Sequence, residues 1–305
     1  MLRWLCGSLL VLFTCSLSAQ SWGKKRSALA DGDNYHFGYI SGSVGYSMLQ
    51  TGVTDAMPQG NVGGAIGVGY EFRNSGLWVN MGLQMSFHRS SLAIDAYTRD
   101  FNGLDTQGLE AVMHYRVSQT DAIQWNYVDV PLMIGYYIHG FHVGAGLKVS
   151  YAIQPVTITK GVYTLSATNT SLNVTFENMP DRGYTDYKYE QRQANHLNAG
   201  VSLIGEAGYD LLSSVPTRSR ICHILKIAFY FEYGLNTQLR KWDTPQVPVE
   251  PQPNDMTQAA IHPYLNTFAS PARTVPFFTG VKLTYMIGGS RTARAGSHHG
   301  CMCYQ

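Results

Sequence analysis

Charge is scarce in this sequence. Asp, Glu, Lys and Arg make up 14% of its 305 residues, against roughly a quarter in an ordinary soluble domain. The formal net charge is only +2, too little for the strong positive field of a nucleic-acid binder. Long apolar runs are missing as well. After the first twenty residues, no stretch approaches the ~18 consecutive apolar residues that a membrane-crossing helix needs. Cysteine is sparse, with five residues, of which Cys222, Cys301 and Cys303 lie in the body of the chain. Three thiols in an exported protein allow one bridge and a leftover, not a disulfide scaffold. Aromatics and glycine are plentiful: 20 Tyr, 12 Phe, 5 Trp and 31 Gly. That excludes disorder, which goes with high charge and few aromatics. An all-β protein remains, in water or in a membrane.

The chain opens on an export signal. Arg3 is followed by an apolar stretch from Leu9 to Phe13, and Ser16-Leu17-Ser18-Ala19 ends in a cleavage site after Ala19. A lipoprotein alternative would use Cys15, but Thr14 stands where a small Gly or Ala is wanted. The segments expected are a signal at 1–19, an N-terminal stretch at 20–36, a barrel at 37–286 and a disordered periplasmic tail at 287–305.

Apolar and small or polar residues then alternate with period two in eight segments. They lie near 40–48, 62–72, 77–87, 128–136, 141–151, 197–209, 225–233 and 275–285. In the fourth, Val128, Val130, Leu132, Ile134 and Tyr136 oppose Asp129, Pro131 and Gly135. In the fifth, Phe141, Val143, Ala145, Leu147, Val149 and Tyr151 oppose His142, Gly144, Gly146, Lys148 and Ser150. None of the eight apolar rows carries a charge. Arg73-Asn74-Ser75-Gly76 and Ile138-His139-Gly140 read as tight turns, and Gly140 suits a hairpin position with positive φ. Long loops are expected at 90–123, 152–195 and 237–273.

A soluble barrel alternates too, but it would present Lys and Glu to water on its polar face. Here that face is largely Gly, Ser and Asn, which suits a narrow lumen. Aromatics gather at both ends of the apolar rows: Phe72, Tyr136, Phe141, Tyr209 and Tyr285 at the turn end, and Tyr46, Phe87, Tyr151, Tyr233 and Phe277 at the loop end. Such girdles sit where amphipathic rings meet lipid headgroups. The reading is an all-β, eight-stranded, antiparallel, up-and-down transmembrane barrel in the bacterial outer membrane, with periplasmic turns and extracellular loops.

Trp125-Asn126-Tyr127-Val128-Asp129-Val130-Pro131-Leu132, followed by Gly135-Tyr136-Tyr137, resembles the aromatic-x-acidic-x-Pro-Leu strand of the outer-membrane β-barrel families of Bacteroidota, the PorT-like or OmpA-like barrels. Val143 to Leu147 and Thr279 to Tyr285 resemble the next strand and the closing strand. The resemblance covers about residues 37–286 and implies a barrel fold. It also allows a structural role or one accessory to type IX-like protein secretion. It implies no active residue. One departure is the tail after Met286, where many such barrels end on the closing strand.

The inward row supplies a candidate charge network: Glu71, Arg73, Asp129, Lys148, Glu206, Lys226, Glu232 and Lys282. Asp129 is expected to pair with Lys148, and Glu206 with Lys226. The network reads as a plug of paired charges; a polar gate is the alternative. A rim enzyme would draw on His88, Asp95, Asp100, Glu190 and His196, but no recognised constellation appears and no catalytic residue is assigned. His298-His299-Gly300-Cys301-Met302-Cys303 suggests soft-metal ligands without a complete site, so no metal or cofactor is expected. A periplasmic disulfide would join Cys222 to Cys301 or Cys303. The function expected is non-enzymatic: binding by surface loops, or an assembly or secretion-accessory role. Its partners would be outer-membrane lipid and other envelope proteins, with no nucleic acid. A small-solute pore is the alternative.

Overall fold

The computed structural model describes residues 34–52, 56–74, 76–104, 108–138, 140–194, 197–214, 222–238, 247–252, 255–264 and 273–290. The signal at 1–19, most of the 20–36 segment, His196, the His298–Cys303 cluster and the side chain of Cys222 lie outside the described residues, and with them the disulfide expectation.

The strands in chain order are β1 (Asn34–Thr51), β2 (Ala56–Asn74), β3 (Leu77–Leu104), β4 (Glu110–Ile138), β5 (Phe141–Asn169), β6 (Val174–Phe176), β7 (Asp186–Ala194), β8 (Gly200–Ser214), β9 (Cys222–Gly234), β10 (Val249–Gln252), β11 (Asp255–Ile261) and β12 (Thr274–Ser290). Eight of them close an antiparallel ring, β1–β2–β3–β4–β5–β8–β9–β12 and back to β1. Closure pairs each strand on both sides, which a bilayer without water requires of any β-structure crossing it. Gly76 and Gly140 both take φ +87 at the tight turns, a conformation open to glycine at little cost. The ring extends past the expected 37–286, because Tyr35 still pairs with Ser290 and Phe37 with Gly288.

The apolar rows face outward. Ile40, Val44, Ile66, Leu83, Leu132, Leu147, Phe229 and Leu283 are all exposed, while Glu71, Asp129 and Lys148 are fully buried on the inner side. On β5 the outer row runs from Phe141 to Ile153, twelve residue steps. At ~3.3 Å per step and a tilt of ~40°, that row covers ~30 Å, the thickness of a hydrocarbon core.

The expected loops at 90–123 and 152–195 are largely strand. β3 and β4 stay paired up to Leu104 opposite Glu110, and β4 and β5 up to Ala111 opposite Asn169. β7 continues the sheet beside Val156–Thr164 of β5. At its tip β5 turns back into β6, which pairs Phe176 with Ala167. One side of the barrel thus rises above the membrane as a wall made of β3, β4, β5 and β7.

The membrane boundary is written into β4 as an inversion of pattern. Below Asn126 the even residues are apolar and face out: Val130, Leu132, Ile134 and Tyr136. Above it the odd residues are apolar and face in: Trp125, Ile123, Val117, Tyr115 and Met113 are buried. His114, Arg116, Ser118 and Thr120 then take the outer face. Lipid outside demands the first arrangement and water outside the second. On β5 a bulge marks the same level. Gln154 has φ +48, and Ile153 and Val156 pair with Asn126 and Gln124, so two residues oppose one. The bulge turns Tyr163, Leu165 and Ala167 to the inner side. There they form a core with Met113 and Tyr115, capped by Val249 and Ile261 of the β10–β11 hairpin.

Candidate functional site

The lumen is filled from its two ends by ion pairs. Near the turns, Glu71 Oε1 lies 2.6 Å from Arg73 Nε, Arg73 Nη1 lies 3.5 Å from Asp210 Oδ2, and Lys226 Nζ lies 3.1 Å from Glu71 Oε2. Lys282 Nζ donates to Glu206 Oε2 at 2.8 Å. Toward the rim, Lys148 Nζ donates to Asp129 Oδ2 at 3.2 Å and to Glu232 Oε2 at 2.5 Å. All of these groups are buried.

Asp129 and Lys148 meet because they lie on one hairpin, each inward and two rungs apart: Asp129 is opposite Ser150 and Lys148 opposite Pro131. The expected Glu206–Lys226 pair is corrected. The register sets Asp210, not Glu206, opposite Lys226, so Lys226 reaches across the lumen to Glu71 while Lys282 takes Glu206.

Bulk aromatics complete the filling, beside the paired charges and small residues that were expected. Trp78 is fully buried against Met133, Tyr137, Ile204, Tyr230 and Phe278. Its ring occupies a notch that only glycine allows: a Cβ on Gly144 would stand 2.3 Å from Trp78 Cζ2, and one on Gly135 2.5 Å from the same ring. Tyr39 uses Gly69 and Gly82 in the same way, and its hydroxyl donates to Asn80 Oδ1 at 2.8 Å. His142 and Asp210 also belong to this lumen, with His142 Nε2 3.7 Å from Glu206 Oε1 and Nδ1 3.9 Å from Asp210 Oδ1. Both sit on the inward row of the sequence, which was the signal that could have included them.

Among the described residues, the rim residues do not assemble. His88 is buried on the inner side, within hydrogen-bond distance (3.2 Å) of Ser47 Oγ. Asp100 is on the opposite face of the wall, where its Oδ1 lies 2.7 Å from His114 Nδ1. Asp95 is exposed, and Glu190 pairs with Lys160 at 2.9 Å. Among the described residues no cluster of three or more His, Cys, Asp or Glu is placed to hold a metal.

A second polar centre, unread in the sequence, fastens the wall to the segment after β11. Asp121 is fully buried in it. Its Oδ1 accepts from Gln119 Nε2 and Thr159 Oγ1, each at 2.8 Å, and its Oδ2 from the Tyr264 N–H at 2.7 Å. Gln119 Nε2 also donates to His262 O at 3.1 Å, and Tyr97 donates to Gln119 Oε1 at 3.1 Å. Burial pushes the Asp121 carboxyl above its ordinary range, against the pull of these hydrogen bonds. Burial likewise raises the hydroxyls of Tyr97 and Tyr189 on the same wall.

A closed ring with lipid-facing apolar rows and a polar, filled interior defines an integral β-barrel of the bacterial outer membrane. The family described as "outer membrane protein beta-barrel domain" matches residues 33–240, more than half of the sequence, and the chain belongs to it. Among solved structures it is similar to Ail, the attachment invasion locus protein of Yersinia pestis. The complex of Ail with the heparin analogue sucrose octasulfate matches at 10% identity and a TM-score of 0.27, covering 82% of this chain and 98% of that one. A second Ail structure matches at 10% identity and a TM-score of 0.25, covering 83% and 99%. No curated protein matches the sequence.

Proposed function

We propose that this barrel is a non-enzymatic binding or assembly protein of the cell surface, whose membrane part is a closed pedestal and whose working part is the wall above it. A role accessory to protein secretion falls within this reading. The observation that carries it is the contrast between the two halves. The lumen is stoppered by Trp78 and by the bridge Asp129–Lys148–Glu232. The wall, by contrast, has its own apolar core and a latched hairpin above the rim. An interior packed with side chains passes no solute at a useful rate, whereas a rigid sheet held clear of the membrane suits recognition.

Single-channel recording of the refolded protein in planar bilayers tests the reading. It predicts no steady current. A stable open state comparable to that of a water-filled barrel would establish the pore instead, and Lys148→Ala would then change its conductance.

A further inference from the structure

On the outer face of the wall, four strands contribute to one line of hydrogen bonds. Asp100 of β3 stands opposite His114 of β4, and Thr168 of β5 stands opposite Thr175 of β6. His114 faces Ser166 on β5, so Thr168 is its diagonal neighbour, one side chain nearer the tip. His114 Nδ1 lies 2.7 Å from Asp100 Oδ1, and its Nε2 lies 2.9 Å from Thr168 Oγ1. Thr168 Oγ1 is in turn 2.9 Å from Thr175 Oγ1.

The direction of these bonds follows from Asp100. A carboxylate only accepts, so His114 carries its hydrogen on Nδ1 and donates it to Asp100. In the neutral ring Nε2 is then an acceptor, and Thr168 donates to it. Thr168 has no second hydrogen, so Thr175 donates to Thr168. Hydroxyl, imidazole and carboxylate thus stand in the order and polarity that prepare an oxygen nucleophile, with a base beside it and an orienting group behind the base.

The line adds little to stability. The same strands are already joined by unbroken ladders, Tyr97–Leu104 on Val117–Glu110 and Ala111–Gln124 on Asn169–Val156. An exposed pair such as His114 and Asp100, whose side chains are 30% and 57% exposed, strengthens them only slightly. That exposure also leaves the group open to a molecule arriving from outside.

The surroundings limit the chemistry. At the turn above Thr168, the N–H of Thr170 donates to Glu110 O, those of Ser171 and Leu172 to Asn169 Oδ1, and that of Asn173 to Asn169 O. This turn therefore holds no free N–H for a tetrahedral oxyanion. An acyl donor must bring a good leaving group of its own, as a thiolate is and an alkoxide is not.

We propose that Thr168 is an acyl-acceptor site, which takes the acyl group of a small thioester onto Oγ1. Oγ1 attacks the thioester carbonyl carbon while its proton passes to His114 Nε2. The C–O bond forms, the C–S bond breaks, and the departing thiolate takes the proton from Nε2 and leaves as a thiol. Asp100 is a positioning residue: it keeps Nε2 turned to the hydroxyl and balances the imidazolium while it lasts. The product is an oxygen ester. Its hydrolysis would expel an alkoxide with no oxyanion donor beside it, so the transfer occurs once per chain. The wall then binds through a covalent bond without turnover, which goes beyond the reading above and keeps to its non-enzymatic terms.

The test incubates the full chain, in detergent micelles, with S-acetyl-N-acetylcysteamine. Peptide mass spectrometry should find an acetyl ester on Thr168 that hydroxylamine removes, whereas acetyl amides on lysine survive that treatment. Ethyl acetate should give no ester. Thr168→Val should form none at this position, and His114→Ala should slow its formation about a hundredfold or more, with heat-modifiable migration normal in both. Asp100→Asn should slow it too, while Asp100→Glu, which still accepts from Nδ1, should keep most of the rate.

No ester on Thr168 overturns the proposal, and that result needs no variant. So does an ester formed equally fast in folded His114→Ala, or equally well from ethyl acetate. Thiol released far beyond one equivalent per chain would make the site a hydrolase, and would overturn the single transfer together with the non-enzymatic reading.

Discussion

The Tyr264 backbone N–H donates to Asp121 Oδ2 at 2.7 Å, and that carboxyl is fully buried on the inner side of the wall. A single side chain on β4 therefore holds the segment that follows the β10–β11 hairpin. Because burial raises the Asp121 pKa, the sign of its pH dependence is fixed. A carboxyl whose folded pKa lies above its unfolded one contributes stability in acid and loses it as pH rises through the folded value. Proteolytic cutting within 247–264, relative to Asp121→Asn at each pH, should therefore quicken as pH rises above about 4, the ordinary aspartate value. A ratio that stays flat, or falls, would show that the carboxyl does not govern the latch.

Lys148 bridges two buried carboxylates from different strands, Asp129 on β4 and Glu232 on β9. Lys148→Ala leaves both facing each other without a cation, and should cost about 3–5 kcal/mol, the usual penalty for orphaning a buried charge. Urea titration of the refolded barrel, followed by heat-modifiable migration, measures the loss. Adding Glu232→Gln should recover part of it. A triple change that also includes Asp129→Asn should recover more.

Trp78 and Gly144 are coupled by shape. Gly144→Val should prevent folding, since even a Cβ would stand 2.3 Å from Trp78 Cζ2. Trp78→Ala alone should cost about 3–5 kcal/mol through the cavity it leaves. In the Trp78→Ala background the Gly144→Val chain should fold again, so the two changes are strongly non-additive in a double-mutant cycle. Additive effects would mean that the glycine serves the backbone rather than the indole.

The barrel was legible because lipid enforces one rule over each span: apolar residues at every second position, as from Val130 to Tyr136. The wall was not, because β4 changes rule at Asn126. Met113, Tyr115 and Val117 alternate as regularly as Val130 and Leu132, but in the opposite phase and interrupted by Gln119 and Asp121, so residues 90–123 read as a loop. Asp121 itself is explained only by donors from β5 and from residue 264, which no local pattern brings together. The lumen divides in the same way. Asp129 and Lys148 share a hairpin, so their pairing follows from the turn. Lys226 and Glu71 are 155 residues apart and meet across the ring, which depends on closure and register. Trp78 lay on a row read as small and polar, and its place follows from a notch at Gly135 and Gly144 that reaches Trp78 only when β3 pairs with β4.

The inversion at Asn126 makes one kind of substitution behave in two ways along a single strand. Leu132 is exposed at the middle of the lipid-facing row of β4. Leu132→Arg places a guanidinium near the bilayer centre and should cost about 2–4 kcal/mol. Thr120 is exposed on the same face of the same strand, twelve residues nearer the tip. Thr120→Arg should change stability by no more than about 0.5 kcal/mol, as at an ordinary water-facing position. Urea midpoints in lipid vesicles compare the two directly. Arginine scanned along the even positions between them should show the cost rise steeply near Asn126, where the surrounding solvent changes from water to hydrocarbon. A cost that stayed level through that region would put the membrane boundary elsewhere, and would undo the division into pedestal and wall.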